Sequence, residues 1–206
     1  MHIEKGSPQD TRDIARLYCA AFPASVELFF RGKPREKLLD LLELTFDLIF
    51  AWGGEALLAR STEGAVLGYC MYFSPRGLLS RRKWDKMVAT AGSMMGKVGL
   101  LEAGRLLRNQ VMMTLSTRHT KKVPAPRSQA RILSIAIDPS SQGKGVGTLL
   151  LQRVLEKLEH QGVVLNVRKD NPAGRNLYAR AGFQECGFTR DLSGEWIMLF
   201  KEPTSY

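Results

Sequence analysis

Cysteine is scarce in this chain of 206 residues, which contains three: Cys19, Cys70 and Cys186. They are odd in number and far apart, so the sequence offers neither a disulfide framework nor the spacing of a cysteine metal site. The three histidines are equally scattered, and we predict no metal. We expect the cysteines to be buried thiols in the reducing environment of the cytoplasm.

Long hydrophobic runs are also missing. No uninterrupted apolar stretch approaches the roughly 18 residues that a membrane-spanning helix needs. The first residues, Met1 to Lys5, do not have the apolar centre of a secretory signal. Since 44% of the residues are apolar, the chain can still bury a sizeable core. We therefore predict one cytoplasmic domain over residues 1–206.

Acidic residues are almost absent from one segment. Residues 76–127 contain twelve Lys or Arg and two acids, whereas the rest of the chain is balanced, so this segment carries the whole net charge of +10. Five of the eight methionines also lie here: Met87, Met94, Met95, Met112 and Met113. We predict a basic, Met-rich helical insert at about residues 74–129. Its apolar residues indicate either ordinary core packing or a mobile lid or docking surface.

Hydrophobic periodicity predicts an α/β chain. The predicted strands are 3–5, 56–60, 65–73, 132–137, 163–167, 183–191 and 195–201. Helices are predicted after the cap Ser7, from Pro34, over 148–158 and over 173–181, with residues 24–33 as a loop. Within the insert, apolar spacing predicts one helix from Trp84 to Val98 and another from Leu100 to Val111.

Glycine is concentrated in a loop between the strand 132–137 and the helix 148–158, which reads Gln142-Gly-Lys-Gly-Val-Gly147. Glycines let a ligand approach the backbone, and a helix N-terminus offers free N–H groups that favour phosphate. The loop predicts a diphosphate cradle, with tight packing as the alternative. A Walker loop is excluded because no lysine–hydroxyl pair follows Gly147, and a dinucleotide fingerprint because Leu150 occupies its third glycine position.

Further motifs follow the strand 163–167: Asn171-Pro-Ala173, Leu177-Tyr178 and Gly182-Phe183. With these motifs the chain resembles the GNAT superfamily of N-acetyltransferases. The superfamily loop, Gln/Arg-x-x-Gly-x-Gly/Ala, is matched by Gln142, Gly145 and Gly147. The resemblance covers roughly residues 130–190. It implies a GNAT fold: a mixed sheet of six to seven strands with splayed fourth and fifth strands and helices on both faces. The predicted helical insert lies between the third and fourth strands, where the next strand of the family usually follows soon.

The resemblance also implies acetyl-CoA as co-substrate. The loop 143–148 would hold the pyrophosphate, and the edge of the fourth strand, from Ser134 to Ile137, would pair with the pantetheine arm. The implied acetyl-CoA residues are Ile135, Ala136, Ile137, Gln142, Gly143, Lys144, Gly145, Val146, Gly147, Thr148, Asn171 and Tyr178. Lys144 could equally face solvent, and Asn171 also has the sequence context of a helix cap.

The implied reaction moves the acetyl group to a primary amine, with Tyr178 as the general acid for the leaving thiolate. A packing role is the alternative for Tyr178. Ribosomal-protein N-terminal acetyltransferases carry a glutamate in a Leu-Glu-Val-Arg sequence, where this chain has Asn166, which argues against that activity. Glu27 could replace the missing base, although it could equally be an ordinary surface acid. A water chain to bulk solvent would also serve.

The acceptor is predicted to be a small-molecule or peptide amine, and the basic insert favours one that carries acidic or phosphate groups. A non-catalytic acyl-CoA sensor that docks an anionic partner is the alternative. Contact with nucleic acid or an anionic membrane ranks as an accessory role, since Trp84 is the one aromatic residue of the basic segment able to stack. A homodimer is compatible with the sequence.

Overall fold

The computed structural model describes residues 1–75, 100–120 and 129–204. They form one sheet of eight strands in the order β1-β2-β3-β5-β6-β8-β7-β4. The strands are β1 His2–Gly6, β2 Gly54–Arg60, β3 Val66–Phe73, β4 Arg118–His119, β5 Gln129–Ile137, β6 Gly162–Arg168, β7 Gln184–Asp191 and β8 Gly194–Lys201. In the described sheet every neighbouring pair is antiparallel except β5 and β6, which are parallel. The mixed sheet is therefore confirmed.

Six described helices cover the two faces of this sheet. They are α1 Thr11–Ala21, α2 Pro23–Phe30, α3 Arg35–Ala51, α4 Leu100–Ser116, α5 Val146–Lys157 and α6 Pro172–Arg180. A core on one face includes Leu150 and Val154 of α5. The core on the other face includes Ile14 of α1 and Phe46 of α3. Both cores use the apolar positions that recur every three or four residues, as amphipathic helices do. No helix in the described ranges is long and apolar enough to cross a membrane.

The N-terminal part follows the predicted pattern closely. The side chain of Ser7 caps the short helix Pro8–Asp10, and Asp10 accepts from the backbone N–H of Ser7 at 2.8 Å, which completes the expected capping box. Arg60 of β2 pairs with both Glu4 and Asp10. These contacts join the first two strands to the start of α1.

The prediction of a loop over residues 24–33 is wrong, because α2 occupies most of it. Phe22 ends α1 by donating its N–H to the carbonyl of Tyr18 at 2.9 Å, and its own carbonyl accepts from Val26 at 3.1 Å. Pro23 is tolerated because the first helical residue needs no backbone donor. Phe22, Val26 and Phe30, spaced by four, pack on the core beneath. The Phe-Pro pair thus ends one helix and begins the next.

The described part of the insert is α4 and β4. A helix from Leu100 is confirmed and reaches Ser116. The predicted helix from Trp84 to Val98 lies outside the described residues. β4 was not predicted, and it raises the strand number from six or seven to eight by pairing Arg118 with Phe188. The two-residue strand is too short to produce a period-2 pattern in the sequence.

α4 is fastened to β7 by side chains that bond to the backbone. The Ser116 hydroxyl donates to the Arg190 carbonyl and accepts from the Arg190 N–H, both at 2.8 Å. The Asn109 Oδ1 accepts from the N–H of Leu192 at 2.9 Å. Ser116 therefore continues, with a side chain, the pairing that β4 makes with the backbone of β7.

Replacing Ser116 by alanine should leave the backbone groups of Arg190 without this partner. We expect the free energy of unfolding to fall by about 1 kcal/mol and the Arg190 amide to exchange faster. Chemical denaturation and hydrogen exchange measure the two effects. Thr114→Ala is the control, since the bond that the Thr114 hydroxyl makes among the described residues is to the Gln110 carbonyl of α4 itself. Equal exchange at Arg190 in both variants would contradict this account of α4 docking.

Candidate active site

A cleft opens where β5 and β6 separate. The two strands pair only from Gln129 to Arg131 of β5, opposite Gly162 to Val164 of β6. β6 then stays with β8 as far as Arg168, while β5 stays with β3 as far as Ile137. The predicted splay is therefore present. Within the described sheet, residues 132–137 of β5 keep an unpaired backbone edge facing the cleft.

A β-bulge lies at the point of divergence. Tyr72 of β3 pairs with Ile132, but the preceding Met71 pairs with Ser134, so Leu133 is an extra residue in β5. Bulges bend a strand and increase its twist. The bulge therefore turns β5 away from β6 immediately after their last paired residues. The Leu133 residue is 38% exposed beside the opening.

The cleft is lined by residues from four parts of the chain. β5 contributes Ile132 to Ile135, and β6 contributes Leu165 to Arg168. The remaining lining residues are Tyr18, Phe22, Ser25, Asn171, Tyr178 and Trp196. Hence Ile135, Asn171 and Tyr178, all predicted as site residues, are brought together. Ala136 is buried and Ile137 ends the strand, next to the glycine loop.

The glycine loop has the conformation of an anion cradle. Gly143 and Gly145 have φ values of +75° and +80°, in the left-handed region that favours glycine. A Cβ added to either would meet no atom within 4 Å, so the space over the loop is open. Leu149 donates its N–H to the Gly145 carbonyl at 3.0 Å, which leaves the N–H groups of the preceding turn as the free donors of a helix start.

The other predicted loop residues surround this cradle. Gln142 donates its side-chain Nε2 to the Ile137 carbonyl at 3.3 Å, which ties the loop to the end of β5. A Cβ on Gly147 would lie 3.5 Å from Ile137, an ordinary contact, so Gly147 packs against the strand. Val146 is buried, whereas Lys144 and Thr148 are exposed.

Tyr178 lies on α6, with its ring packed edge-on against Phe183 at a centroid distance of 5.8 Å. Its side chain is buried but lines the cleft. Burial raises the pKa of Tyr178, with a smaller contribution from nearby Cys70, so the phenol stays protonated at neutral pH. No hydrogen-bond partner of its hydroxyl is found in the described part of the chain. The hydroxyl is therefore available to a ligand in the cleft.

Asn171 caps α6, as its sequence context predicts. Its Oδ1 accepts from the N–H of Gly174 at 2.9 Å. The cap places Asn171 at the rim of the cleft and fixes the first turn of the helix that carries Tyr178. Its contact with acetyl-CoA stays a prediction.

Glu27 is not brought together with the other predicted residues. Its side chain is 67% exposed and pairs at 3.1 Å with Arg31, the residue that follows α2. Ser25 of α2 lines the cleft, but Glu27 is absent from the lining. Residues two apart on a helix point in different directions, and so α2 turns Glu27 away from the side that carries Ser25.

Several cleft residues were missed from the sequence: Tyr18, Phe22, Ser25, Arg168 and Trp196. Arg168 had a usable signal, because residues 166 and 168 alternate with the buried Leu165 and Val167 and must share a face of β6. The aromatic residues of α1 and β8 read as ordinary core positions. Only the tertiary structure shows that they reach the opening.

These residues fit a ligand that has a diphosphate and an extended amide arm. The open glycine loop offers N–H groups to phosphate, and the unpaired edge of β5 offers main-chain donors and acceptors to the arm. Within residues 1–75, 100–120 and 129–204, no group of three or more His, Cys, Asp or Glu is arranged to hold a metal ion.

Comparisons with curated proteins give short matches to acetyltransferases. The chain is 34% identical over 82 residues to the 5-NmdU N-acetyltransferase of Pseudomonas phage PaMx11, covering 40% of this chain and 56% of that protein. It is 39% identical over 66 residues to the ribosomal protein bS18-alanine N-acetyltransferase of Salmonella typhimurium, covering 31% and 45%. The chain thus spans about half the length of the curated relatives it matches.

Solved structures resemble the whole chain at lower identity. An N-acetyltransferase from Staphylococcus aureus Mu50 matches with a TM-score of 0.64 and 20% identity, covering 98% of this chain and all of the other. The yncA protein of Salmonella typhimurium, solved with its cofactor acetyl-CoA, matches with a TM-score of 0.60 and 14% identity, covering 100% and 95%. At such identities the likeness shows the fold.

The model of the GNAT acetyltransferase family matches residues 13–183, which include α1, both splayed strands, the glycine loop and Tyr178. With this match over most of its length, the chain belongs to the GNAT family of acetyltransferases.

Proposed function

We propose that this protein is an N-acetyltransferase that moves the acetyl group of acetyl-CoA to a primary amine. The observation that carries the proposal is the meeting of three features at one cleft: an open glycine loop, an unpaired strand edge and the buried hydroxyl of Tyr178. Membership of the GNAT family and the N-acetyltransferase names of its relatives support the same activity.

Acetyl-CoA supplies an acetyl thioester, which is activated towards amines. The N–H groups from Gly143 to Thr148 would hold its diphosphate, with Gln142 fixing the loop and Lys144 near the phosphates. The backbone of Ser134, Ile135, Ala136 and Ile137 would pair with its arm, and Asn171 would contact it at the rim. A hydrogen bond of 3.0 Å between the Ser134 and Tyr69 hydroxyls joins the side chains of this part of β5 to those of β3.

Tyr178 is the proposed general acid. When the amine attacks the thioester carbon, the bond to sulfur breaks and the thiolate takes the phenolic proton. The phenolate then recovers a proton from water. Since burial raises the pKa of Tyr178, its neutral form is the one present when the sulfur leaves.

The acceptor amine must lose its own proton without help from a carboxylate in the described lining of the cleft, which contains no Asp or Glu. Asn166 cannot take a proton, and Glu27 is exposed away from the opening. We propose that water carries the proton to solvent, because part of any amine is neutral near pH 8. We therefore do not propose the N-terminal alanine of protein bS18 as the acceptor.

The lack of an acid in this lining is also the observation that favours the alternative, a non-catalytic acyl-CoA sensor. Acetyl-CoA binding without release of thiol in the presence of a broad panel of amines would support the sensor. We also propose action in the cytoplasm, because the chain has few cysteines and both Cys70 and Cys186 are buried.

Replacing Gly145 by valine should abolish acetyl-CoA binding, measured by isothermal titration. The new side chain would project into the cradle. The positive φ at residue 145 would also cost a valine about 1–2 kcal/mol of stability. Gly64→Val is the matched control: Gly64 also has a positive φ and open space, but it lies in the turn between β2 and β3. Wild-type affinity in Gly145→Val would contradict the cradle.

Replacing Tyr178 by phenylalanine should lower kcat by about 10²–10⁴-fold while leaving acetyl-CoA affinity nearly unchanged. The ring and its contact with Phe183 remain, and only the proton donor is removed. Tyr72→Phe serves as the control, since Tyr72 is also a buried tyrosine of raised pKa but does not line the cleft. Unchanged turnover in Tyr178→Phe would reject Tyr178 as the acid.

The pH profile should show one rising limb. kcat/KM rises as the amine loses its proton, and a buried Tyr178 keeps its own proton beyond the usual phenol pKa of about 10. We therefore expect no decline up to about pH 10 in steady-state rates corrected for enzyme stability. A falling limb near pH 8, absent from Tyr178→Phe, would show that the phenol ionises at ordinary pH.

A further inference from the structure

Arg168 places a guanidinium at the edge of the cleft. It is the last residue of β6, its side chain is 30% exposed, and it pairs across the sheet with Trp196 of β8. Arg168, Trp196 and Asn166 all line the opening, together with Ser25 of α2. No other Lys or Arg is found in the described lining, so Arg168 is its one cation.

Asp170 holds this guanidinium in a fixed orientation. Arg168 donates from Nε to one carboxylate oxygen at 2.8 Å and from Nη2 to the other at 2.7 Å. Two parallel bonds fix the plane of the group in a way that a lysine could not reproduce. Nη1 has no hydrogen-bond partner among the described residues. One nitrogen of a clamped guanidinium is thus left to bond elsewhere.

The charges around Arg168 leave room for an additional anion. Asp170 is 68% exposed, so solvent screens much of its charge. The other carboxylate near Arg168, Asp191, is buried and accepts from the N–H and hydroxyl of Ser193 at 2.8 and 2.6 Å. These bonds hold Asp191 in its own turn. Among the described residues the ion pair of Arg168 is with Asp170 and not with Asp191, which acts on Arg168 only at longer range.

We propose that Arg168 is a specificity residue that binds a carboxylate or phosphate carried by the acceptor amine, with Asp170 as its positioning residue. The inference rests on the proposed acetyltransferase activity and names the class of its acceptor. The same cleft disfavours polycations, because its described lining has no carboxylate to pair with a second ammonium group. When water leaves the cleft, an anionic group beside the amine would also offset the cost of removing the Arg168 guanidinium from solvent.

The kinetic test uses pairs of amines that differ in the anionic group: β-alanine with propylamine, and ethanolamine phosphate with ethanolamine. Putrescine tests the polycation. The wild-type protein should prefer the anionic member of at least one pair by about 10- to 100-fold in kcat/KM, the factor expected for a charge-assisted hydrogen bond. The pair that shows the preference distinguishes carboxylate from phosphate.

Variants assign this preference to Arg168. Arg168→Ala should remove it through a higher KM for the anionic amine, with the neutral amine little affected. Arg168→Lys should retain part of it, and Asp170→Asn should weaken it without removing it. Lys169→Ala is the matched control, because it deletes a neighbouring cation whose side chain pairs with Glu195 at 2.7 Å and does not line the cleft.

A binding measurement separates this proposal from the proposed activity. In the presence of CoA, N-acetyl-β-alanine and N-acetylethanolamine phosphate are titrated calorimetrically against the uncharged N-propylacetamide. Binding that requires the anion and is lost in Arg168→Ala would support the subsite even if no amine is acetylated. A failure to acetylate any amine would reject only the proposed enzyme activity. Acetylation with an anion preference that survives in Arg168→Ala, or with putrescine as the better acceptor, would overturn the subsite alone.

Discussion

The separation of β5 from β6 is the constraint on which the site depends. Past Arg131 and Val164 the two parallel strands no longer share hydrogen bonds. Unpaired backbone groups inside a protein are costly, so a sheet opens in this way only where other contacts hold each strand apart. Here β8 pairs with β6 to its end, β3 pairs with β5 to its end, and the bulge at Leu133 sets the divergence between them.

The remaining features are arranged around this opening. The glycine loop follows the free part of β5 directly, so its N–H groups lie at one end of the edge that would receive the arm of acetyl-CoA. α6 follows β6 and carries Tyr178 into the cleft. Two splayed strands therefore bring the glycine loop, the free edge of β5 and Tyr178 together, although Ser134 and Tyr178 are 44 residues apart in the chain.

The insert is connected to the same region from outside. α4 is bonded to the backbone of β7 through Ser116 and Asn109, and it also contacts α2, which contributes Ser25 to the cleft. The described cations of the insert are all exposed: Arg105 and Arg108 on α4 and Arg118 on β4. The charge at the cleft itself comes from Arg168, which lies outside the insert. Thus α4 lies beside α2 at the border of the cleft, and the proposed anion of the acceptor would be bound by a residue of the sheet.

The sequence by itself determined the conformation of the glycine loop, the helix cap that Asn171 forms, the helix that carries Tyr178 and most of the strands. These features depend on local geometry: positive φ, capping and alternation within a few residues. It did not reveal α2, because the Phe-Pro pair that ends α1 also begins α2. It did not reveal β4, because two residues are too few for an alternating pattern. Only the tertiary structure decided that Glu27 is turned to solvent and that Tyr18, Ser25, Arg168 and Trp196 meet at one opening. That meeting depends on the bulge and on the packing of α1 and α2 on one core, and such long-range contacts leave no periodic pattern in the chain.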